Sequence, residues 1–163
     1  MTFSTNFKSA TPAKVTRAKQ RTERKRLEDR HKAIVRKRDK RCRFPLCGCQ
    51  RYKLACEVGH LVHKGMGGNP AGDRSTPSGM VYLCQHRHRR SRISIHAGTL
   101  RIEPLTDRGA DGPLKWAVDG TSLPERVGTS GWVEVGRETA VGVLAPVSPS
   151  QRAILTELAE MTR

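Results

Sequence analysis

Aromatic residues are scarce in this chain of 163 residues. They make up 4% of the sequence, and hydrophobic residues of all kinds make up 36%. This supply is thin for a core spread over the whole length of the chain. The composition favours a small domain that is held together by a further stabilising device and flanked by looser segments.

Long hydrophobic runs are absent as well. The sequence contains no stretch of 18 apolar residues that could form a membrane-spanning helix. Residues 1–7 also lack the hydrophobic region of a signal peptide. We therefore expect no membrane association and a cytoplasmic location.

Acidic residues are few compared with basic ones. The chain has 15 Asp and Glu against 31 Lys and Arg, a formal net charge of +16. An excess of this size favours a polyanionic partner, which is usually nucleic acid. Fifteen of the basic residues and only four acidic residues fall between Lys14 and Arg43.

Residues 16–38 contain no Gly or Pro and many good helix formers, so they predict a basic helix near the N-terminus. Its apolar residues, Leu27, Ile34 and Val35, are too few for a broad buried face. The helix is either a solvated charged element or an arm that lies along phosphates and releases counterions.

The five cysteines point to a metal site, because an odd number of cysteines in a cytoplasmic protein favours metal ligands over disulfides. Cys42 and Cys47 are separated by four residues across Pro45, as in a zinc knuckle. Cys84 is a distant third ligand. The spacing leaves the fourth ligand open among His86, Cys49 and Cys56.

Two short strands are predicted on either side of an irregular loop. Residues 52–58 form the first strand, which leads into His60, and residues 80–83 form the second. The loop from residue 63 to residue 79 is rich in Gly, Pro and Ser. Residues 85–92 can form about two helical turns.

An antiparallel pairing of these strands, with the helix packed across them, would bring three histidines together. They are His60, His88 and His96. Histidines that converge beside a basic arm indicate metal-assisted cleavage of phosphodiester bonds.

These residues resemble the HNH endonucleases, particularly those of phages and mobile elements, whose core is a ββα-metal finger. The resemblance covers residues 36–105. It rests on Cys42-x4-Cys47, Val58-Gly59-His60-Leu61 with Lys64-Gly65-Met66-Gly67-Gly68, Met80-Val81-Tyr82-Leu83-Cys84-x3-His88, and Ser94-Ile95-His96-Ala97-Gly98.

The resemblance implies a role for each matched residue. His60 would be the general base that takes a proton from the attacking water, a task that suits a neutral imidazole. His88 and His96 would bind a single catalytic divalent ion, Mg²⁺, Mn²⁺, Ni²⁺ or Zn²⁺. The residues that match the structural zinc ligands of the family are Cys42, Cys47 and Cys84.

The chain departs from the family pattern at three positions. Gly59 stands where a metal-binding His or Asp usually precedes the base, and Gly79 stands where the family has its Asn. Arg87 takes the usual place of the fourth zinc cysteine. Proximity in sequence suggests His63 or Asp73 as replacement ligands for the catalytic ion and His86 as a replacement for the zinc.

Beyond the histidines, short strands are predicted at residues 100–105, 114–118 and 132–135. A C-terminal helix is predicted to begin at Ser148-Pro149-Ser150-Gln151, which has the residues of a capping box and a Pro at the first helical position. Ile154, Leu158 and Met161 would share one face of it.

The predicted fold is a small α+β protein: a zinc-tied ββα-metal finger with a basic N-terminal helix and an irregular C-terminal extension. The predicted divisions are a basic arm at residues 1–35, an HNH-like domain at 36–105 and the extension at 106–163.

The expected function is that of a metal-dependent endonuclease acting on DNA, most naturally double-stranded DNA. A zinc-stabilised DNA-binding module that has lost catalysis is the alternative, favoured by Gly59 and Gly79. A zinc-dependent interaction protein without a nucleic-acid role is a third possibility.

Overall fold

The computed structural model describes residues 12–61, 76–125 and 127–161. These residues form two helices and six strands, so the predicted α+β class is confirmed. The elements are α1 Pro12–Asp39, β1 Cys56–His60, β2 Met80–Cys84, β3 Leu100–Pro104, β4 Leu114–Asp119, β5 Trp132–Ala140, β6 Val143–Leu144 and α2 Pro149–Glu160. None of the described helices is long and apolar enough to cross a membrane.

The predicted basic helix is confirmed as α1. It ends where Lys40 takes a left-handed backbone conformation, with φ of 56°, and donates its N–H to the carbonyl of Arg36. Leu27 and Ile34 are half exposed, whereas Val35 is fully buried against the hairpin residues Val58 and Met80. Only the C-terminal part of α1 is therefore anchored by apolar packing.

Strands β1 and β2 form the predicted antiparallel hairpin. Cys56 pairs with Cys84 at one end of it and His60 pairs with Met80 at the other. The first strand begins at Cys56 instead of residue 52, because Lys53 has a left-handed φ of 50° and the preceding residues form a turn. The hairpin consequently holds cysteines at one end and a histidine at the other.

The predicted pair of helical turns at residues 85–92 is instead a single π-helical turn, His86–Arg90. Ser91 ends it, because its N–H bonds to the carbonyl of His86 over five residues and its hydroxyl donates to the same oxygen. The chain then turns back, and the N–H of His96 bonds to the carbonyl of His88. This return brings His96 close to His88.

The prediction of an irregular C-terminal extension is wrong. Strands β3 to β6 form a four-stranded antiparallel sheet in sequence order. The three predicted strands are present, but β5 continues to Ala140. The sequence pattern does not predict the second half of β5, because Gly136, Arg137 and Glu138 interrupt the alternation of apolar residues.

The main hydrophobic core joins the hairpin to this sheet. Trp116 lies fully buried on β4, and the ring of Phe44 packs edge-to-face on it at 5.7 Å between centroids. Leu83 of the hairpin belongs to the same buried cluster as Leu155 of α2. The core therefore crosses the proposed boundary between residues 105 and 106.

The start of α2 is confirmed in detail. Ser148 accepts a hydrogen bond from the Gln151 N–H, and the Gln151 side chain accepts one from the Ser148 N–H. This reciprocal capping box satisfies two donors that a helix start leaves open. Ile154, Leu155 and Leu158 are buried, so the helix docks on its own domain.

Candidate functional site

Four cysteines come together between the hairpin and the C-terminal sheet. Each offers a sulfur atom, and the four sulfurs all lie within 4.8 Å of one another. The Sγ atoms of Cys47 and Cys84 are 3.7 Å apart. We call this group, Cys42, Cys47, Cys49 and Cys84, the four-cysteine site.

Local backbone geometry shapes the first half of the four-cysteine site. The N–H of Arg43 bonds to the carbonyl of Tyr82, which holds this segment beside β2. Leu46 has a left-handed φ of 48°, and the N–H of Cys47 then reaches back to the carbonyl of Phe44. The resulting tight turn brings Cys47 back towards Cys84.

The four-cysteine site fits a metal ion. All of its cysteines are free thiols, and 3.7 Å is far longer than a disulfide bond. Tetrahedral coordination with Zn–S bonds of about 2.3 Å places sulfurs roughly 3.8 Å apart, in agreement with that distance. The four residues can therefore hold a metal such as zinc.

The four thiols differ in protonation: the pKa values of Cys47 and Cys84 are lowered, and those of Cys42 and Cys49 are raised. Hydrogen bonds from the neighbouring thiols, that of Cys42 above all, hold the pKa of Cys47 well below its ordinary value, although burial opposes the shift. The pKa of Cys42 is raised, chiefly because its thiol donates to Cys47. A thiolate forms readily at Cys47, and the thiolate is the form that binds metal.

The fourth position, which the sequence left open, is taken by Cys49. It lies in the 3₁₀ turn Gly48–Gln50 and is almost fully buried. Cys56 faces Cys84 across the hairpin, but its thiol points to the carbonyl of Leu54 at 3.8 Å. Among the described residues, neither Cys56 nor His86 joins the sulfur cluster.

Arg87, which occupies the position of the fourth zinc cysteine in the HNH pattern, has a packing role in this chain. It is 1% exposed, and its guanidinium lies over the ring of Phe44 at 4.9 Å. The same group donates hydrogen bonds to the carbonyls of Ile93 and Leu158. Arg87 therefore connects the π-helical turn to the last turn of α2.

The three predicted histidines line one pocket at the other end of the hairpin. Its volume is about 230 Å³, and we call it the histidine pocket. Its lining residues are Glu28, Lys32, Val58, His60, His88, Ile95 and His96. Residues that are far apart in sequence thus meet as the proposed hairpin arrangement required.

His88 is oriented by a carboxylate. Its Nδ1 lies 2.8 Å from Oε1 of Glu57, which also accepts a hydrogen bond from Arg89. Burial alone would raise the pKa of Glu57, but the hydrogen bond from His88 and the charge of Arg89 lower it overall. Because a carboxylate only accepts, Nδ1 of His88 is the donor in this hydrogen bond, and in the neutral ring Nε2 is then the nitrogen that carries the lone pair for a ligand.

Gly59 gives a physical reason for the first departure from the family pattern. A Cβ atom at this position would lie 2.7 Å from Cδ2 and 3.0 Å from Nε2 of His88. The imidazole of His88 thus occupies the space that a side chain at position 59 would need. A metal-binding residue cannot stand there unless His88 moves.

His96 lies against His88 in the histidine pocket. Their ring centroids are 4.7 Å apart and the rings are nearly perpendicular. In the described part of the chain, however, the four-cysteine site is the only group in which three or more ligand atoms converge. The described histidines can thus contribute to a metal site without completing one.

Two further predictions concern the loop before β2. Gly79, in place of the family's Asn, ends the 3₁₀ turn Pro77–Gly79 and accepts a hydrogen bond from the Leu61 N–H. Gly79 therefore holds the backbone next to His60 through its main-chain carbonyl, whereas an Asn could also contribute a side chain. His63, Asp73 and the glycine-rich stretch 65–68 lie outside the described residues.

The C-terminal end of α1 is fastened next to the histidine pocket. Arg38 donates to the carbonyls of Pro77 and Met80 and to the carboxylate of Asp111. The buried carboxylate of Asp39 accepts a hydrogen bond from the Tyr82 N–H. The helix axis is thus fixed relative to the hairpin by polar contacts as well as by Val35.

No protein-family model, curated protein or solved structure matches this chain.

Proposed function

We propose that this protein is a metal-dependent endonuclease that hydrolyses phosphodiester bonds in DNA and resembles the HNH enzymes. The observation that carries the proposal is the meeting of His60, His88 and His96 in one pocket beside the basic helix α1. Such a pocket combines a possible proton acceptor with possible metal ligands. The four-cysteine site would hold a structural zinc ion that supports it.

The positions of the side chains support a role for each histidine. His60, at the end of β1, accepts the proton of the attacking water. His88 presents Nε2, because Glu57 holds its Nδ1, and carboxylate–histidine pairs of this kind are typical of metal ligands. His96 is the second nitrogen ligand of the pair.

A divalent ion held by these histidines would polarise the scissile phosphate and stabilise the leaving oxygen. Further ligands would come from water or from the phosphate itself. Lys32, which lines the same pocket and pairs with Glu28 at 2.9 Å, can contribute positive charge at the phosphate.

Nicking of supercoiled plasmid tests the proposal directly. Purified protein is incubated with plasmid in Mg²⁺, Mn²⁺, Ni²⁺ or Zn²⁺, and the relaxed form is quantified. We expect nicking by the wild type and a loss of at least about 100-fold in His60→Ala, since a general base contributes about 10²–10⁴. His31→Ala is the matched control, because His31 lies on α1 outside the pocket lining.

Glu57→Gln tests the orientation of His88. It removes the negative charge but keeps the shape, so the protein should fold with the four-cysteine site intact. We expect nicking to fall by about 10–100-fold, with a larger metal requirement, because that is the usual effect of removing such a carboxylate. Unchanged metal dependence would show that Glu57 does not position a ligand.

A second candidate is a zinc-stabilised DNA-binding module without catalysis. The observation that favours it is that the described ligand atoms converge only at the four-cysteine site. It predicts one tightly held zinc, salt-sensitive DNA binding and no nicking with any of the four metals. Zinc quantification together with the plasmid assay separates the two candidates.

A further inference from the structure

The exposed part of α1 is strongly basic. Residues 16–27 are all exposed, and they include six basic residues and one acidic residue, Glu23. Glu28 is the first described residue of the helix that lines the histidine pocket, and Val35 is its first fully buried residue. A charged helix therefore projects from the body of the protein next to the pocket.

The basic residues of this projecting helix form two rows. At 3.6 residues per turn, the centres of the rows lie about 180° apart around the helix. The first row contains Arg17, Arg21, Arg24 and Lys25, and the second row contains Lys19, Arg26 and Arg30. Every member of both rows is exposed.

The strips between the rows carry less charge. One strip contains Ala18, Thr22 and the exposed acidic residue Asp29, and the hydroxyl of Thr22 bonds back to the Ala18 carbonyl. The opposite strip contains Thr16, Gln20 and Leu27, with Glu23 at its edge next to the second row. The positive charge is thus divided between two sides instead of surrounding the helix evenly.

This distribution distinguishes between two ways of meeting a nucleic acid. A helix that lies along one phosphate backbone needs a single basic row, and a second row on its far side would gain nothing. A helix inside a groove has a phosphate backbone on each side. Two opposite rows therefore match a groove.

The dimensions select the groove. A helix with its side chains is about 10–12 Å across, and the major groove of B-form DNA is about 12 Å wide, whereas the minor groove is about 6 Å wide. The major groove of A-form RNA is too narrow for side chains to read. A B-form DNA duplex is the partner that fits.

We propose that residues 16–30 of α1 lie in the major groove of double-stranded DNA, with each basic row against the phosphates of one strand. The first row lies on the same side of the helix as Glu28, Lys32 and Val35, the side that faces the hairpin and the histidine pocket. The strand along that row therefore runs towards the pocket. This inference rests on the proposed function in one respect, namely that the partner is DNA.

Binding of the full-length protein to a B-form duplex tests the proposal. Affinity is measured at several salt concentrations by fluorescence anisotropy, without added divalent ions so that no cleavage occurs. One variant replaces Arg17, Arg21 and Arg24 by Gln, and another replaces Lys19, Arg26 and Arg30 by Gln. Each removes three charges from one row, and Gln keeps the helix propensity high.

We expect both variants to weaken binding and to lower the slope of log K against log salt by about 2–3, since each phosphate contact contributes about 0.9. A control variant that replaces the exposed residues Arg101, Arg137 and Arg152 by Gln has the same charge change. It should alter the slope by less than about 1. A slope change in only one of the two row variants would overturn the proposal in favour of a single-strand contact.

Two further measurements test whether the helix lies in the major groove of a B-form duplex. Bound wild-type protein should protect guanine N7, which faces the major groove, from methylation by dimethyl sulfate. Absence of protection, or equally tight binding to an A-form RNA duplex of the same sequence, would overturn it. If DNA binding depends on both rows but the protein never nicks plasmid, the proposed nuclease activity is refuted and the groove proposal stands. If the protein nicks plasmid but its DNA binding depends on only one row, the groove proposal is refuted and the nuclease proposal stands.

Discussion

The four-cysteine site and the histidine pocket occupy opposite ends of the same hairpin, but they differ in burial and completeness. The cysteines lie in or against the main core, and all four ligands are present. The histidines line an open pocket that is partly polar, with a carboxylate and a lysine from α1 at its edge. A closed, complete site is typical of structural metals, whereas reaction centres keep an open position.

The difference shows how one small hairpin can support two kinds of site. Burial of the cysteine end fixes the strands and the π-helical turn. The fixed strand β1 and the π-helical turn then hold Glu57 and Gly59 against the ring of His88 at the short distances seen in the pocket. Variants at each end should therefore affect different properties.

The largest effect is expected at the four-cysteine site. Cys84→Ser removes a fully buried ligand, and binding of a structural zinc is worth on the order of 10 kcal/mol, comparable to the stability of a whole domain. We expect the variant to retain less than stoichiometric zinc and to lose its cooperative thermal transition. Metal quantification and thermal unfolding check this.

Cys56→Ser is the matched control, because Cys56 faces Cys84 across the hairpin but lies outside the sulfur cluster. It should keep its zinc and melt close to the wild type. If Cys84→Ser melts within about 2 °C of the wild type, the cysteine end is not the stabilising end, and the comparison fails.

A smaller loss of stability is expected where the cysteine loop meets the C-terminal sheet. Arg43 and Glu138 form a buried ion pair at 2.6 Å, and both side chains are 2% exposed. Arg43→Met leaves the carboxylate buried without its partner, which costs about 3–5 kcal/mol. Urea unfolding of the zinc-loaded protein measures this loss.

The surface pair of Arg137 with Glu134 provides the control for this prediction. Both residues lie on β5, as Glu138 does, and the Arg137 side chain is 53% exposed. Arg137→Gln should leave the unfolding free energy close to that of the wild type, because an exposed ion pair contributes little to stability. If Arg43→Met and Arg137→Gln lost the same free energy of unfolding, burial would not explain why the cysteine end of the hairpin stabilises the fold.

The smallest effect on stability is expected in the histidine pocket. Gly59→Ala adds a Cβ atom in the space of the His88 ring, and overpacking of this kind costs about 1–3 kcal/mol. In a His88→Ala background the space is free, so the same substitution should cost almost nothing. A double-mutant cycle measured by urea unfolding gives the coupling.

The same variants also separate a loss of stability from a loss of nicking activity. Nicking should be lost in Gly59→Ala if the ring leaves Glu57, even though the four-cysteine site remains loaded. If Gly59→Ala lowers the free energy of unfolding equally in both backgrounds, the ring of His88 is not the reason for a glycine at position 59.

The sequence determined the local elements of this protein with good accuracy. Capping at Ser148, the apolar alternation of β3 and the absence of Gly and Pro from residues 16–38 are signals that depend on near neighbours in the chain. They were confirmed because helix starts, strands and helices respond to such neighbours. The spacing of Cys42 and Cys47 likewise predicts a metal-binding pair, with Cys84 as a distant third ligand, and all three belong to the four-cysteine site.

The tertiary structure decided what depends on contacts between distant residues. It selected Cys49 over Cys56 and His86, because a ligand must point to a shared centre and spacing does not give direction. It extended β5 through Glu138, because that buried carboxylate pairs with Arg43, 95 residues away. It also gave a reason for Gly59, which in the sequence is only a missing ligand and in the fold makes room for the imidazole of His88.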